Sequence, residues 1–168
     1  MSKVFYDKPI IEQLFDEFDK DIEDHNQEKL IKLVKILPPE DINKYNKHGQ
    51  TSLLLASYYG YTTIVKLLLK NEDIIVNIRS QSSSTEPTAL IYASKYGNIE
   101  IVKLLLNHKD IDINYADNIG YRALLYAICN EHTEIVELLL NHKDINITIA
   151  REKGCAKISE VLENYIKN

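Results

Sequence analysis

Few residues in this chain have the type and spacing to do chemistry. His108 and His142 stand in the same tetrapeptide, "NHKD", at corresponding places in two similar segments. Paired imidazoles with thiolates at ligand spacing would make a metal site, but neither Cys129 nor Cys155 stands near them in the chain. The recurrence fits a polar helix end complementing the helix dipole. His25, His48 and His132 are scattered, and no Ser or Cys has the neighbours that activate a nucleophile. Asp110/Asp112 and Glu131/Glu134 could be drawn as acid–base dyads, yet they read as solvated loop charge. Cys129 reads as a small half-buried helix residue. There is no G-x-x-x-x-G-K-[ST] and no H-E-x-x-H, and five glycines leave little for a phosphate-cradling loop. The expectation is no catalytic residue, no metal and no cofactor.

What must position any site is a repeat. "TSLLLASYYGYTTIVKLLL" (51–69), "TALIYASKYGNIEIVKLLL" (88–106) and "RALLYAICNEHTEIVELLL" (122–140) align leucine (53, 90, 124), alanine (56, 93, 127) and Ile-Val (64, 101, 135). The separations are 37 and 34 residues; an insertion within "SQSSSTEP" (80–87), a lengthened surface loop, accounts for the difference. Leu and Ala three apart share one helical face, and Ala lets a neighbouring helix approach. Gly60 and Gly97 fit left-handed caps. Thr62 or Thr63, Asn98 and Thr133 offer N-cap oxygens for a second helix. In the third unit Glu131 replaces the glycine, with Asn130 expected at the left-handed position. Each second helix carries an apolar stripe that one pair cannot bury but a stack can.

These features resemble the ankyrin repeat family: the T-P-L-H-x-A signature is degenerate here as T-S-L-L-L-A, T-A-L-I-Y-A and R-A-L-L-Y-A. Asn77 and Asn114, each 13 residues after its Ile, match the hairpin Asn, and Gly49 and Gly120 the hairpin-tip glycine. The implied fold is all-α: an α-solenoid of stacked helix-turn-helix pairs with β-hairpin loops. It forms a single domain over 1–168, comprising an N-terminal capping repeat (1–45), repeats at 46–79, 80–116 and 117–146, and a truncated C-terminal cap (147–168). In the N-terminal cap, Ile11, Leu14, Phe15, Phe18 and Ile22 fit an amphipathic helix that gathers Phe5, Phe15 and Phe18. The acidic residues between them should face water. "LIKLVKILPPEDIN" reads as a degenerate second helix, with Asn43 at the hairpin position 13 residues after Leu30. The last segment fits either a helix pair or a hairpin tip at Gly154 followed by one helix, and helical structure at 147–153 would distinguish them.

The resemblance implies a non-catalytic protein-interaction module, a scaffold or adaptor, with its partner on the concave face of first helices and hairpin tips. The corresponding positions are Tyr45, Lys47, His48 and Gln50, then Tyr58 and Tyr59, Lys95 and Tyr96, and finally Asn118, Ile119, Tyr121 and Asn130. Tyrosines gather there, bringing large area, a hydroxyl and few rotors. Tyr92 and Tyr126 are assigned to packing between helices. Lys47, Arg79 and Lys95 add positive charge that hints at an acidic or phosphorylated partner segment. The hairpin asparagines should satisfy turn backbone, and the family implies they can be hydroxylated. Alternatives are a host-directed effector or decoy and the regulatory module of an enzyme.

Composition narrows the partners. A net charge of −5 argues against a sequence-independent grip on nucleic acid. No 18-residue apolar run spans a membrane and no apolar h-region opens the chain. The expectation is a monomeric cytoplasmic protein, with a host-cell cytoplasm as the alternative. Abundant Ile, Asn, Lys and Tyr match the bias of an AT-rich genome.

Overall fold

The computed structural model describes residues 8–20 and 22–147, which form helix pairs in two layers. The pairs are α1 (Ile10–Phe18) with α2 (Gln27–Lys35), α3 (Ser52–Tyr59) with α4 (Thr62–Leu68), α5 (Ala89–Lys95) with α6 (Ile99–Leu106), and α7 (Ala123–Cys129) with α8 (Thr133–Leu140). The odd-numbered helices pack side by side in one layer, and the even-numbered helices in the other. No strand forms among the described residues. The chain reverses between pairs in hairpin-like loops, closed by main-chain bonds such as Asn46 N–H to Gln50 O (2.8 Å), Ser80 N–H to Pro87 O (2.9 Å) and Asp117 N–H to Tyr121 O (2.8 Å). The two readings of the C-terminal segment concern positions almost wholly outside the described residues, as do Phe5 and Cys155.

The layers follow from where apolar residues fall. In α3 every residue from Ser52 to Ser57 is buried, because a first helix is enclosed by two neighbours and its own partner. The second helices bury one stripe, Ile64/Val65/Leu68, Ile101/Val102/Leu105 and Ile135/Val136/Leu139/Leu140, with Leu67, Leu104 and Leu138 half-buried beside it. Fully buried side chains of this size each contribute about 1.5–3 kcal/mol.

Local hydrogen bonding departs from the sequence expectation. Thr51 and Thr88 cap the first helices, accepting from Leu54 N–H and Ile91 N–H at 3.4 Å. The second helices begin at Tyr61, Asn98 and His132 and have no side-chain cap, so Thr62, Thr63 and Thr133 do not serve as one. Asn98 instead crosses to the preceding repeat, donating Nδ2–H to Ser57 O at 2.8 Å. His132 does the same, with Nε2 3.1 Å from Lys95 O, and Tyr61 meets His25 Nδ1 at 2.6 Å. Asn98 and His132 lean over the left-handed residue of the preceding repeat. A Cβ on Gly60 would lie 2.8 Å from Asn98 Oδ1, and one on Gly97 2.8 Å from His132 Cε1. The third left-handed position is Glu131 itself (φ 62°); Asn130 sits at φ −100°.

The hairpin asparagines join repeats as well as turns. Asn43 donates to Asp73 O (2.7 Å) and accepts from Ile75 N–H (2.9 Å). Asn77 does the same with Asp110 and Asp112, and Asn114 with Asp144 and Asn146. His108 and His142 accept the N–H of Asp110 and Asp144 through Nδ1 at 3.3 Å, so these polar helix ends also close the turn that follows.

The N-terminal pair corrects two expectations. Helix α1 ends at Phe18, leaving Ile22 in a 3₁₀ turn and exposed, while Ile11, Leu14, Phe15 and Phe18 are buried as expected. Glu17 does not face water: it is fully buried, accepting from Lys20 Nζ (2.7 Å), Lys29 Nζ (2.9 Å) and Asn26 N–H (2.9 Å). It ties α1 to the start of α2, where Asn26 Oδ1 caps Lys29 N–H. Burial alone would raise its pKa, but these donors outweigh it and bring it from 4.5 down to about 2.

Two outcomes follow. Because the folded pKa lies below the unfolded one, Glu17 stabilises the fold above about pH 4.5 and loses that contribution as pH falls toward 2. Glu17→Gln should cost on the order of 2 kcal/mol in urea unfolding at pH 7, and the gap to the parent should shrink toward zero near pH 2. Gly97→Ala places a Cβ in the left-handed region and against His132. It should lower stability by about 1–3 kcal/mol, read by the same unfolding.

Candidate functional site

The last turns of α3 and α5 put tyrosines at the layer edge. Tyr92 and Tyr96 are four apart on one face of α5, with rings 6.5 Å apart. Tyr58 from α3 meets both edge-on, at 5.5 Å and 4.8 Å. From α7, Tyr126 closes the row through Lys95, whose Nζ lies 5.4 Å from the Tyr96 ring and 5.6 Å from the Tyr126 ring. Opposite these helices stands the inserted loop, bringing Ser83, Thr85 and Pro87 to the same cleft of about 190 Å³. Tyr58 and Tyr96 are 38% and 44% exposed, enough for a bound surface to cover them.

The loop keeps its place through its neighbours. Gln81 N–H bonds Gly49 O at 2.7 Å, and Asn118 N–H bonds Thr85 O at 2.9 Å, so the insertion bridges the hairpin tips on either side. Asn118 Oδ1 also accepts from the Arg79 guanidinium, and Arg79 pairs with Glu86 at 3.1 Å. Below the cleft Tyr126 donates to Asp117 Oδ2 at 2.8 Å, while Asp117 Oδ1 accepts the N–H groups of Ile119 and Tyr121. Burial first and the Asp117 hydrogen bond second push the Tyr126 hydroxyl far above its ordinary range. Neighbouring Tyr96 and burial raise Tyr58.

Tyr58, Lys95 and Tyr96 thus come together. Tyr59 turns instead toward the N-terminal pair, with Phe18 at 6.3 Å and His25 at 4.7 Å. Tyr45 donates to Arg79 O, and Lys47 pairs with Asp19 at 2.8 Å, with His48 at 3.8 Å from the same carboxylate. Gln50 gives its N–H to Asn46 Oδ1 at the first hairpin tip. Asn118, Ile119 and Tyr121 lie at the third tip, Tyr121 against Tyr126 at 5.7 Å. Asn130 donates to Tyr126 O, and neighbouring Cys129 is exposed rather than half-buried. Tyr92, Tyr126 and the loop residues Ser83, Thr85 and Pro87 complete the cleft; the two tyrosines, which the sequence assigns to packing between helices, also line it. Spacing could have found Tyr92, four residues before Tyr96, with Tyr126 at the same place in the next repeat.

Two larger grooves are lined largely by polar and charged side chains, and in the one at the ends of α6 and α8 Lys109 and Lys143 meet no carboxylate among the described residues. One, about 410 Å³ between α1 and the first hairpin, pairs its cations with carboxylates: Lys8 with Asp16, Lys44 with Asp41, Lys47 with Asp19. The other, about 550 Å³, lies at the ends of α6 and α8, where Lys103 bridges Glu100 and Glu134 and both histidines close turns. Among the described residues no three His, Cys, Asp or Glu side chains gather as a metal site. No described helix is long and apolar enough to cross a membrane.

The repeat is also found by comparison. Residues 48–81 match the model of the ankyrin repeat, and residues 73–150 match that of ankyrin repeats in three copies. A comparison with curated proteins finds no match.

The Tyr126–Asp117 bond has a spectroscopic consequence. Alkaline titration of tyrosinate absorbance should show a late component, beyond the ordinary phenol range, whose amplitude Tyr126→Phe reduces by one tyrosine. If the parent titrates in one phase near pH 10, the bond is not maintained in solution.

Proposed function

This chain belongs to the ankyrin repeat family, and on that premise we propose that it is a non-catalytic adaptor whose partner protein docks over the tyrosine cleft on the concave face. Ankyrin repeats generally mediate protein–protein interaction. What supports placing the contact here is one observation: Tyr58 and Tyr96 stay exposed beside a cleft whose other walls are already ordered by hydrogen bonds. Aromatic anchors on a pre-ordered surface lose little entropy on binding, and such residues dominate interface energetics. The cleft is smaller than the roughly 300–1,000 Å³ of small-molecule sites. It suits one or two side chains of a partner.

Affinity capture from native lysate, followed by mass spectrometry, tests the reading. The Tyr58→Ala/Tyr96→Ala variant, matched to the parent in helical content and melting, should lose the captured protein by at least about tenfold. Equal capture by both would move the contact away from the cleft.

A further inference from the structure

The cations on the hairpin side are not equivalent. Lys47 is neutralised by Asp19, Lys44 by Asp41, and Arg79 by Glu86 with Asn118 Oδ1. Lys95 differs: among the described residues it meets no carboxylate, and its ammonium rests between the rings of Tyr96 and Tyr126. It lines the same cleft as the hydroxyl-bearing Ser83 and Thr85. A half-buried ammonium held by aromatic faces retains most of its capacity for a counter-charge, because a ring quadrupole offsets only part of a cation's demand.

We infer that the cleft recognises an acidic side chain, Glu or Asp, on an extended segment of the partner protein, with its carboxylate seated on Lys95 and its flanking residues on Tyr58 and Tyr96. This rests on the docking reading above. Charge complementarity selects an anion. The number of donors selects a carboxylate over a phosphate: phosphate sites in proteins gather arginine forks, and the arginine on this hairpin is already engaged. The volume of about 190 Å³ admits a side chain and excludes a helix.

The test uses resin-bound linear nonapeptides of random sequence whose central residue is fixed as Glu, Gln, Lys or phosphoserine. The full chain is applied to each pool. The Glu pool should retain the protein about threefold to tenfold better than the Gln pool, with the advantage falling as salt rises. Lys95→Met should abolish that preference, and Lys95→Glu should reverse it toward the Lys pool. Both variants must melt as the parent does. Equal retention by Glu, Gln and Lys pools, lost on Tyr58→Ala/Tyr96→Ala, would overturn the acidic inference and leave the docking surface standing. Retention unchanged by the tyrosine substitutions would overturn both. Preference for phosphoserine over Glu would replace the carboxylate by a phosphate, and no retention by any pool would exclude a linear segment as occupant.

Discussion

The carboxamide of Asn77 donates to one backbone atom of the next repeat and accepts from another, and Asn43 and Asn114 repeat the arrangement. A single side chain that uses both ends across a junction admits one register. Slipping the repeats by a residue would break both bonds and leave two backbone groups to find new partners. At the opposite side of the stack, Tyr61, Asn98 and His132 reach back to His25, Ser57 O and Lys95 O. Each junction is therefore pinned at the loops and at the start of the second helix. The cleft depends on this, since its walls come from α3, α5, α7 and the loop before α5.

Apolar burial supplies the larger energy but less of the specificity. Leu53, Leu54, Ile64, Ile101 and Leu105 are at most 1% exposed, and their burial is non-directional. Leu and Ile stripes recurring in every repeat would fit a neighbour in more than one way. The cross-repeat hydrogen bonds contribute only about 1 kcal/mol each net, but an unmade one costs more than a made one gains. That asymmetry makes the correct stacking distinct from its near alternatives. In a linear array, where each repeat touches only its neighbours, every junction needs its own discriminating contact.

Periodicity made the helix pairs legible, because it is set by residues that are buried alike in each repeat. Leu53, Leu90 and Leu124 keep their type for that reason. Gly60 and Gly97 were legible because left-handed backbone narrows the choice of residue. Legibility failed where the partner lies in another repeat. Asn98 reads as an N-cap by local rules, yet its amide serves Ser57 O. Glu17 reads as a solvent-facing acid between phenylalanines, yet lysines from two places in the chain and an N–H from the next helix bury it. Tyr58 and Tyr59 read as a pair and their rings do meet edge-on at 4.9 Å, but adjacent residues on a helix diverge by about 100°, so Tyr58 continues to Tyr92 and Tyr96 while Tyr59 continues to Phe18 and His25. Half of the cleft was hidden the same way: no local rule says that an inserted Ser-Thr loop folds toward Tyr96.

The third junction breaks the repeat's own rule. Glu131 occupies left-handed backbone where its counterparts are glycine, at a cost of roughly 1–3 kcal/mol. On one side of it Asn130 Nδ2 holds Tyr126 O, and on the other His132 holds Lys95 O. The turn is thus fastened to the backbone of both residues that frame the cationic end of the cleft. A surface that binds by complementarity must hold its charge in one place before the partner arrives, or the ordering cost falls on the affinity. Here that ordering is done within the fold, by a turn that local propensity would not choose and that its neighbours in the stack impose.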